Sequence, residues 1–409
     1  MLPGALLAGV LAVVPAILYG APNYDEAAVP PYELPDPLRR ADGSVVKDAA
    51  AWTGGRRAEV LRLFEEHVYG RSPGRPQKLR FELLENTPGA LGGAAVRKQW
   101  RILLTGADDG PRLDLLVWLP PAAGKPVPAF LGLNFQGNHA VTDDPGVPLP
   151  KHAGAKPRGA EASRWPVATI VGRGYALATA WYGDIEPDSA DGWKQGVRAA
   201  LSPEGAATKF DGDDWGAIAA WAWGLSRALD CLEQDPAIDA KRVAVIGHSR
   251  LGKTALWAGA RDERFAIVIS NNSGEGGAAL ARRCFGETTA VIQKSFPHWF
   301  CGNFRRYADR ENELPVDQHE LLALVAPRPL YVASAEADQW ADPRGEFLAA
   351  KAAGPVYALF GHRGVGVDEM PPLDHPVGGR IGYHIRRGKH DVTDYDWQQY
   401  LAFADRWWK

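Results

Sequence analysis

The sequence predicts an α/β fold, in which a mixed, mostly parallel sheet lies between two layers of helices. In the second half of the chain, short apolar segments alternate with helical stretches, as expected for parallel strands that are covered on both faces. These segments are Tyr175–Trp181, Val243–Gly247, Ile267–Ser270, Leu330–Ser334 and Val356–Phe360. The first half has closely spaced extended segments, which predict antiparallel hairpins at the start of the sheet. They are Leu79–Glu85, Val96–Thr105, Leu113–Leu119 and Pro128–Asn134.

Two helices are predicted from their apolar spacing. The first runs from Trp215 to Leu232, with Asp213 or Asp214 as its N-cap. Its apolar residues fall at helical spacing on one face, which comprises Ile218, Trp221, Leu225 and Leu229. The second is an amphipathic helix, Trp397–Trp408, which closes the chain.

The composition excludes several classes of protein. The chain has 409 residues, of which 46% are hydrophobic and 23% charged, so it is neither collagen, coiled coil, multi-span membrane protein nor disordered tail. Its net charge is −3 with both signs mixed along the chain, which offers no basic footprint for nucleic acid. Many of the 15 tryptophans must pack the core, but proteins that bind sugars line their clefts with such rings, so the count is a weak hint of a sugar-binding cleft.

The N-terminus is typical of a secretory signal peptide. An apolar run of about 14 residues, Ala5–Leu18, is too short for a membrane span, and small residues at Gly20 and Ala21 offer a cleavage point. We therefore expect a signal peptide over residues 1–21, a single catalytic domain over 22–409, and a secreted or periplasmic protein. The alternative is a short hydrophobic helix that belongs to the fold.

The three cysteines, Cys231, Cys284 and Cys301, include no CxxC pair, so neither a zinc site nor a redox motif is predicted. We accordingly expect no metal and no cofactor. One disulfide is compatible with export. Cys284 and Cys301 are the favoured pair, because Cys231 falls in a helix that is predicted to be buried.

The segment around Ser249 predicts a nucleophile. An apolar strand runs directly into Gly247-His248-Ser249, and a helix-forming stretch, Leu251–Ala260, follows at once. This order of strand, sharp turn and helix is typical of the nucleophile elbow of α/β-hydrolases. The second glycine, Gly252, lies three residues after the serine instead of two, and Arg250 takes the position next to the serine. The alternative is a serine that only caps a helix.

The residues after Ser249 predict how negative charge would be stabilised. Free N–H groups at a helix start carry partial positive charge, so the N–H of Arg250 would face the oxyanion of an attacked ester. The guanidinium of Arg250 adds a charged donor near the same oxygen, and Lys253 brings a second cation one turn later. Two cations favour a polar, oxygen-rich acyl group over a fatty one.

Chain order limits the choice of acid and base. In α/β-hydrolases the serine is followed first by the acid and then by the histidine. The acid is expected after the predicted strand Leu330–Ser334, where the candidates are Glu336, Asp338 and Asp342. The histidines that remain for the base are His362, His375, His384 and His390, of which His390 lies in a Gly-containing loop before the last helix.

The motif around the serine resembles that of the glucuronoyl esterases, carbohydrate esterase family 15, which reads Gly-x-Ser-Arg-x-Gly-Lys. Other segments, over nearly the whole mature chain, resemble the bacterial branch of the family. They are Asn23-Tyr24-Asp25-Glu26, Asn134–His139, Asp214–Ala217, Asn271–Gly274, Arg283–Glu287 and Gly388–Asp391. The serine motif is fairly specific, and the other segments support it.

This resemblance implies an α/β-hydrolase fold and a Ser-His-acid triad. It selects His390 as the base, with His362 as the alternative, and Asp338 as the acid, because Gln339-Trp340 follow it as in the family. Some relatives place the acid after the strand that follows the nucleophile helix. This chain has only Ser270-Asn271-Asn272 there, and Glu275, three residues later, is the alternative acid.

The resemblance also implies a substrate. Lys253 and Glu287 would bind hydroxyls of a glucuronoyl ring, Trp340 would pack on the sugar or the ester alcohol, and Gln293 is a weaker candidate for a further contact. The acyl part would be 4-O-methyl-glucuronic acid on xylan, and the alcohol a lignin-type group. In the alternative, structural interpretation, Lys253 solvates a helix end, Glu287 pairs with a neighbouring arginine, and Trp340 anchors a loop.

The sequence thus predicts a monomeric, exported serine esterase that acts on lignin–glucuronoxylan esters and has no nucleic acid or membrane partner. A non-catalytic sugar-binding relative is one alternative, although a binder has no need for Ser249, Asp338 and His390 together. An acetyl-xylan deacetylase is another, although that class usually has GxSxG without the Arg–Lys pair.

Overall fold

The computed structural model describes residues 21–121, 124–150, 155–202 and 212–409, so residues 1–20 of the signal peptide predicted over 1–21 lie outside the described residues. Within these ranges ten strands form one sheet in the order β1-β2-β3-β5-β4-β6-β7-β8-β10-β9. The strands are β1 Arg80–Ala90, β2 Ala95–Leu103, β3 Arg112–Leu119, β4 Val127–Asn134, β5 Ala176–Trp181, β6 Ile238–His248, β7 Phe265–Asn271, β8 Leu330–Ala335, β9 Val377–Gly378 and β10 Ile381–Arg386.

The sheet is mixed, as predicted. Strands β1, β2, β3 and β5 pair antiparallel in that order, β5, β4, β6, β7, β8 and β10 pair parallel, and β9 adds an antiparallel edge. The prediction that Pro128–Asn134 belongs to the antiparallel hairpins was wrong, because β4 lies between β5 and β6 and is parallel to both. Its nearly unbroken burial on both faces is typical of an interior parallel strand.

Helices cover both faces of the sheet, which confirms the three-layer architecture. The α-helices of the described residues are α1 Ala49–Ala51, α2 Arg57–Phe64, α3 Val167–Gly172, α4 Tyr182–Ile185, α5 Val197–Leu201, α6 Ala217–Leu232, α7 Arg250–Arg261, α8 Thr289–Ser295, α9 Gln318–Ala323, α10 Pro343–Ala352, α11 Gly354–Leu359 and α12 Asp394–Trp408. Side chains alternate along the strands. In β6, Val243 and Val245 join the core under α6 and α7, whereas Ala244 and Ile246 join the core under α3 and α12. No helix in the described ranges is long and apolar enough to span a bilayer.

The predicted strand Val356–Phe360 was wrong, because helix α11, which has a proline in its first turn, includes Val356–Leu359 and ends with Phe360 as its C-cap. Apolar runs of about five residues do not distinguish a strand from a buried helix segment. β8 pairs in parallel with β7 on one side and with β10 on the other, and β10 is buried along its whole length.

The predicted N-cap of α6 was also wrong. The cap is Gly216, which has no side-chain hydrogen bond to the helix. Asp213 instead pairs with Arg71 through both its side chain and its backbone carbonyl. Because α6 is buried along its whole length, packing fixes where it begins.

The expected Cys284–Cys301 disulfide is absent, since all three cysteines of the described chain are free thiols. The Cys284 thiol is directed to the carbonyl of Ala281, and the Cys301 thiol to that of Glu66. Cys231 is buried in α6, as predicted. Burial raises the pKa of Cys301 to about 11, so this thiol is protonated and unreactive near neutral pH.

Two glycines allow the tight junction between β6 and α7. A Cβ on Gly247 would lie 1.8 Å from the carbonyl oxygen of Leu251. A Cβ on Gly252 would lie 3.0 Å from the Ser273 Cβ and 3.2 Å from the Asn271 carbonyl oxygen. Gly252 therefore allows α7 to pack directly against the turn that follows β7, which accounts for the unusual position of the second glycine.

Gly247→Ala should destabilise the fold by about 3 kcal/mol or more, because the clash is with backbone that cannot move without displacing α7. Thermal and urea unfolding, followed by tryptophan fluorescence, measure the effect. The matched control is Gly172→Ala in α3, where an added Cβ meets nothing within 4 Å. It should be neutral or stabilise by about 0.5–1 kcal/mol. Equal stability of the two variants would contradict this account of the junction.

Candidate active site

Ser249 lies at the junction of β6 and α7 in a strained conformation. Its φ is 58° and its ψ is −130°, and its N–H donates to the carbonyl of Asn271 at 2.9 Å. A non-glycine residue with this backbone conformation is uncommon and is often found at functional sites. Ser249 is half-buried at the start of α7, where the N–H groups of the first two helical residues have no intrahelical acceptor.

Asp338 and His390 lie together at the carboxyl ends of the neighbouring parallel strands β8 and β10. The Nδ1 of His390 is 2.6 Å from the Oδ2 of Asp338. Asp338 is buried, whereas the side chain of His390 is 39% exposed and can meet a substrate. Burial opposes ionisation of Asp338, but hydrogen bonds from His390 and Asn272 outweigh it, and the pKa of Asp338 lies below its ordinary value.

The alternative acid and base occupy different surroundings. Glu275 is fully buried and bonds to the hydroxyl of Thr289 at 2.7 Å, and burial raises its pKa well above the usual range. His362 follows α11, where burial and the guanidinium of Arg380 lower its pKa. Neither residue shares a hydrogen bond with His390 or Asp338 within the described chain.

The uncharged ring of His248 packs against the ring of His390. The two imidazole rings lie 4.4 Å apart between centroids. Nδ1 of His248 lies 2.7 Å from Oδ1 of Asn271. Burial, with the neighbouring His390, lowers the pKa of His248 to about 3, so this ring stays uncharged when His390 takes up a proton.

Lys253 and Glu287 form a buried ion pair. Their side chains are 3.7 Å apart (Nζ to Oε2), and each is 4% exposed. Burial lowers the pKa of Lys253 and raises that of Glu287, against the attraction of each for the other. Lys253 also donates to the carbonyl of Ser273, and the N–H of Glu287 donates to the carbonyl of Trp340 at 2.9 Å. The Trp340 side chain is 38% exposed.

Arg250 is held in place by an aspartate that sequence reasoning missed. Its guanidinium pairs with Asp188 and lies 4.8 Å from the centroid of the Trp299 ring. Asp188 also accepts hydrogen bonds from His298 and Trp299, both at 2.7 Å. Burial opposes the charge on Asp188, but these donors hold its pKa below the usual value. The Nε of Arg250 is buried and has no partner within the described residues.

Two further residues near the site were also missed. Asn272 has a φ of 46°, and its Nδ2 donates to Oδ2 of Asp338 at 2.7 Å. Glu346, in α10, is fully buried and accepts hydrogen bonds from the N–H groups of Ser273 and Gly274 and from the hydroxyl of Ser334. The Asn271–Gly274 motif was the sequence signal for Asn272, but no local pattern indicated Glu346.

In the ranges that the structure describes, no three His, Cys, Asp or Glu side chains cluster so as to hold a metal ion. Gln293, in α8, is 9% exposed, and both polar atoms of its side-chain amide lack a protein partner among the described residues.

The chain is similar to known esterases over most of its length. The family model for fungal glucuronyl esterase matches residues 208–361. Carbohydrate esterase MZ0003, from an unknown prokaryotic organism, is 49% identical, and the match covers 94% of this chain and 91% of that protein. The 4-O-methyl-glucuronoyl methylesterase 1 of Phanerochaete chrysosporium is 30% identical over 83% of this chain and 64% of its own length.

A solved structure agrees with these sequence matches. The glucuronoyl esterase from Solibacter usitatus is 54% identical, and the superposition covers 94% of this chain and all of that one with a TM-score of 0.90. Identity at this level over nearly whole chains extends the likeness far beyond the serine motif. The chain belongs to the glucuronoyl esterase family, carbohydrate esterase family 15.

Proposed function

We propose that this protein is a serine esterase that hydrolyses esters of 4-O-methyl-glucuronic acid, as in links between lignin alcohols and glucuronoxylan. The observation that carries the proposal is the contact between Asp338 and His390, at the same sheet edge as the strained Ser249. Membership of the family supplies the substrate class, since a relative of the chain is a 4-O-methyl-glucuronoyl methylesterase.

In the proposed reaction, the Oγ of Ser249 attacks the ester carbonyl carbon while His390 takes the hydroxyl proton. Asp338 holds the imidazole orientation and stabilises the imidazolium. The carbonyl oxygen becomes an oxyanion, which the N–H and the guanidinium of Arg250 stabilise. Collapse of the tetrahedral intermediate expels the alcohol, which takes the proton from His390, and leaves an acyl-enzyme. Water, deprotonated by His390, then releases the uronic acid and restores Ser249.

Lys253 and Glu287 are proposed to bind the sugar hydroxyls, and Trp340 to pack against the bound ester. The ammonium of Lys253 has three donors, one of which goes to the carbonyl of Ser273, and the carboxylate of Glu287 has two acceptor oxygens. The remaining donors and acceptors lie in a fixed arrangement, which suits a ring that carries several hydroxyls. The side-chain amide of Gln293, which has no partner in the part of the chain that the structure describes, supports a further polar contact. No cofactor takes part in this scheme.

The proposed setting follows from the substrate. Glucuronoxylan and lignin are polymers outside the cell, so the enzyme must be secreted or periplasmic to meet them. A signal peptide over 1–21 ahead of a single catalytic domain over 22–409 fits this setting, and we propose that the domain is monomeric.

The decisive experiment is hydrolysis of benzyl glucuronate beside 4-nitrophenyl acetate. The proposal requires a clear preference for the glucuronate ester, whereas a preference for the acetate ester would favour a deacetylase. Ser249→Ala should lower kcat roughly 10⁴-fold or more and leave the melting temperature intact, because only the nucleophile is lost. The control Ser44→Ala, at an exposed surface position, should keep wild-type activity. Near wild-type activity of Ser249→Ala would rule out this nucleophile.

Asp338→Asn should lower kcat by about 10³–10⁴-fold with little change in KM, since an amide no longer fixes the imidazole tautomer or stabilises the imidazolium. Glu275→Gln should change kcat by less than about fivefold. Burial favours the neutral carboxyl at that position, and an amide of the same shape mimics it. If the two variants exchange phenotypes, Glu275 is the acid.

Arg250→Ala should lower kcat/KM by a factor that corresponds to about 2–4 kcal/mol of lost transition-state stabilisation. The loss should fall mainly on kcat, because a contact with the oxyanion strengthens in the transition state. Arg250→Lys should recover part of the loss, since an ammonium group cannot reproduce the planar fork. Asp188→Asn should give a smaller loss in the same constant, because it releases the guanidinium without removing it. Both constants are measured on a glucuronate ester, and a rise in KM alone would indicate ground-state binding only.

A further inference from the structure

A cavity of about 680 Å³ opens at the amino ends of the parallel strands β6, β7, β8 and β10. Ser249, Asp338 and His390 lie at the opposite edge of the sheet, beyond the carboxyl ends of β6, β8 and β10. The six residues of β8 alone extend for about 20 Å between the two edges. This cavity, here called the amino-edge cavity, is therefore separate from the proposed active site, and its volume lies within the range of known ligand sites.

Four basic residues of the described chain line the amino-edge cavity in a row. Lys241 lies near the start of β6, and Arg264, Arg328 and Arg380 lie just before β7, β8 and β10. These strands are neighbours in the sheet in that order, and adjacent strands are about 4.8 Å apart. The row is therefore dense, and the Nε of Arg380 donates to the carbonyl of Pro327, next to Arg328, at 2.7 Å.

The two carboxylates that line the amino-edge cavity, within the part of the chain that the structure describes, are already paired. Glu233 lies 3.1 Å from Arg264, and Glu263 lies 2.7 Å from Arg57. Arg264 also pairs with Asp262 at 2.7 Å, and this contact raises the pKa of its guanidinium. These acidic and basic groups therefore compensate one another and leave no lining carboxylate for the other cations.

The other three cations, Lys241, Arg328 and Arg380, have no ion pair with a carboxylate among the described residues. The guanidinium of Arg328 donates to backbone carbonyls, including those of Gly259 at 2.7 Å and Phe265 at 2.9 Å. Burial lowers the pKa of Arg328 to about 10 and also lowers that of Arg380, yet both arginines remain charged near neutral pH. A bound anion would compensate positive charge that the fold leaves uncompensated.

Two tryptophans complete the lining of the amino-edge cavity. Trp407 and Trp408, at the end of α12, are half-buried and line it. The guanidinium of Arg380 lies 4.4 Å from the centroid of the Trp407 ring, a cation–π contact that orients its donors. Indole rings provide flat apolar surface, which suits the C–H face of a sugar ring. An inorganic anion needs no such surface, so the lining favours an anion that carries a ring.

We propose that the amino-edge cavity is a second, non-catalytic site that binds a sugar with a free carboxylate, such as the uronate of de-esterified glucuronoxylan. The choice of sugar acid rests on the proposed function, because hydrolysis of the ester leaves this uronate on the polymer. Arg328 and Arg380 would bind the carboxylate, and Trp407 or Trp408 would pack against the sugar ring. An intact ester carries no charge at this group, so the site selects regions that the enzyme has already hydrolysed and holds it close to the remaining esters.

The test measures binding by isothermal titration calorimetry in the Ser249→Ala background, which leaves ester ligands intact. The probe is a xylo-oligosaccharide that carries one 4-O-methyl-glucuronic acid, and its methyl ester is the neutral comparison. Arg380→Gln should weaken binding of the acid at the second site about 10-fold or more, the scale of one lost charged hydrogen bond. It should leave binding of the methyl ester unchanged. Arg62→Gln, at an exposed position on α2, is the matched control and should change neither.

Further variants separate the two sites and guard against misfolding. The free acid can also enter the active site, and Lys253→Gln should weaken only that binding event. Lys241→Gln removes an exposed cation and should weaken the second event about 2- to 5-fold, with no change in melting temperature. Because neither Lys241 nor Arg380 lies at the sheet edge that carries Ser249, both single variants should hydrolyse benzyl glucuronate at the wild-type rate.

The outcomes distinguish this second site from the proposed function. A single binding event for the free acid, which Lys253→Gln abolishes and Arg380→Gln does not affect, overturns the second site. Equal affinity of that site for the methyl ester, or for inorganic phosphate, overturns its assignment to a sugar acid. If the wild type fails to hydrolyse benzyl glucuronate, the proposed function is overturned, whereas binding of the acid that depends on Arg380 and Lys241 still supports the second site.

Discussion

The turn Asn271–Gly274, at the end of β7, is the constraint on which the geometry of the candidate site depends. Its consecutive residues contact different parts of the site. Asn271 accepts the N–H of Ser249 at its carbonyl and lies 2.7 Å from His248 through its side chain. Asn272 donates to Asp338, and the carbonyl of Ser273 accepts from Lys253. A shift of this turn would therefore displace the proposed nucleophile, the acid and the sugar-binding cation together.

The buried carboxyl of Glu346 accepts hydrogen bonds from the turn Asn271–Gly274 and fixes its position, but burying this carboxyl costs folding free energy. Burial raises the pKa of this carboxyl to about 8, against hydrogen bonds from Ser334, Gly274 and Ser273. Asn272 keeps a positive φ and leaves its Oδ1 buried without a partner in the described residues, and both features oppose folding. Buried hydrogen bonds that satisfy backbone N–H groups fix position firmly, because breaking one leaves a desolvated donor. The fold thus gives up some stability in exchange for a turn with one conformation.

The features of the fold and the site that could be predicted from sequence are those formed by contiguous residues. The apolar strand, the flanking glycine and the helix around Ser249 are contiguous, so the elbow was evident from sequence. The partners of the site are not contiguous, since Asp188 is 62 residues from Arg250, and Asn272 is 66 from Asp338. The error at Val356–Phe360 has a related cause, because five apolar residues fit a buried helix as well as a strand, and only the sheet neighbours decide.

The position of the proposed acid, Asp338, depends on the turns that follow β7 and β8, which bring their side chains together. Nδ1 of His390 and the amide Nδ2 of Asn272 converge on the same oxygen, Oδ2 of Asp338, at 2.6 and 2.7 Å. Side chains that follow the two strands therefore meet at the same point, and a carboxylate from either strand end could contact the imidazole of His390. A second carboxylate at position 272 would set two anions within hydrogen-bond distance and raise the pKa of one of them. An amide there donates instead, so in the proposed reaction the single charge on Asp338 stays available to the imidazolium that would form on His390.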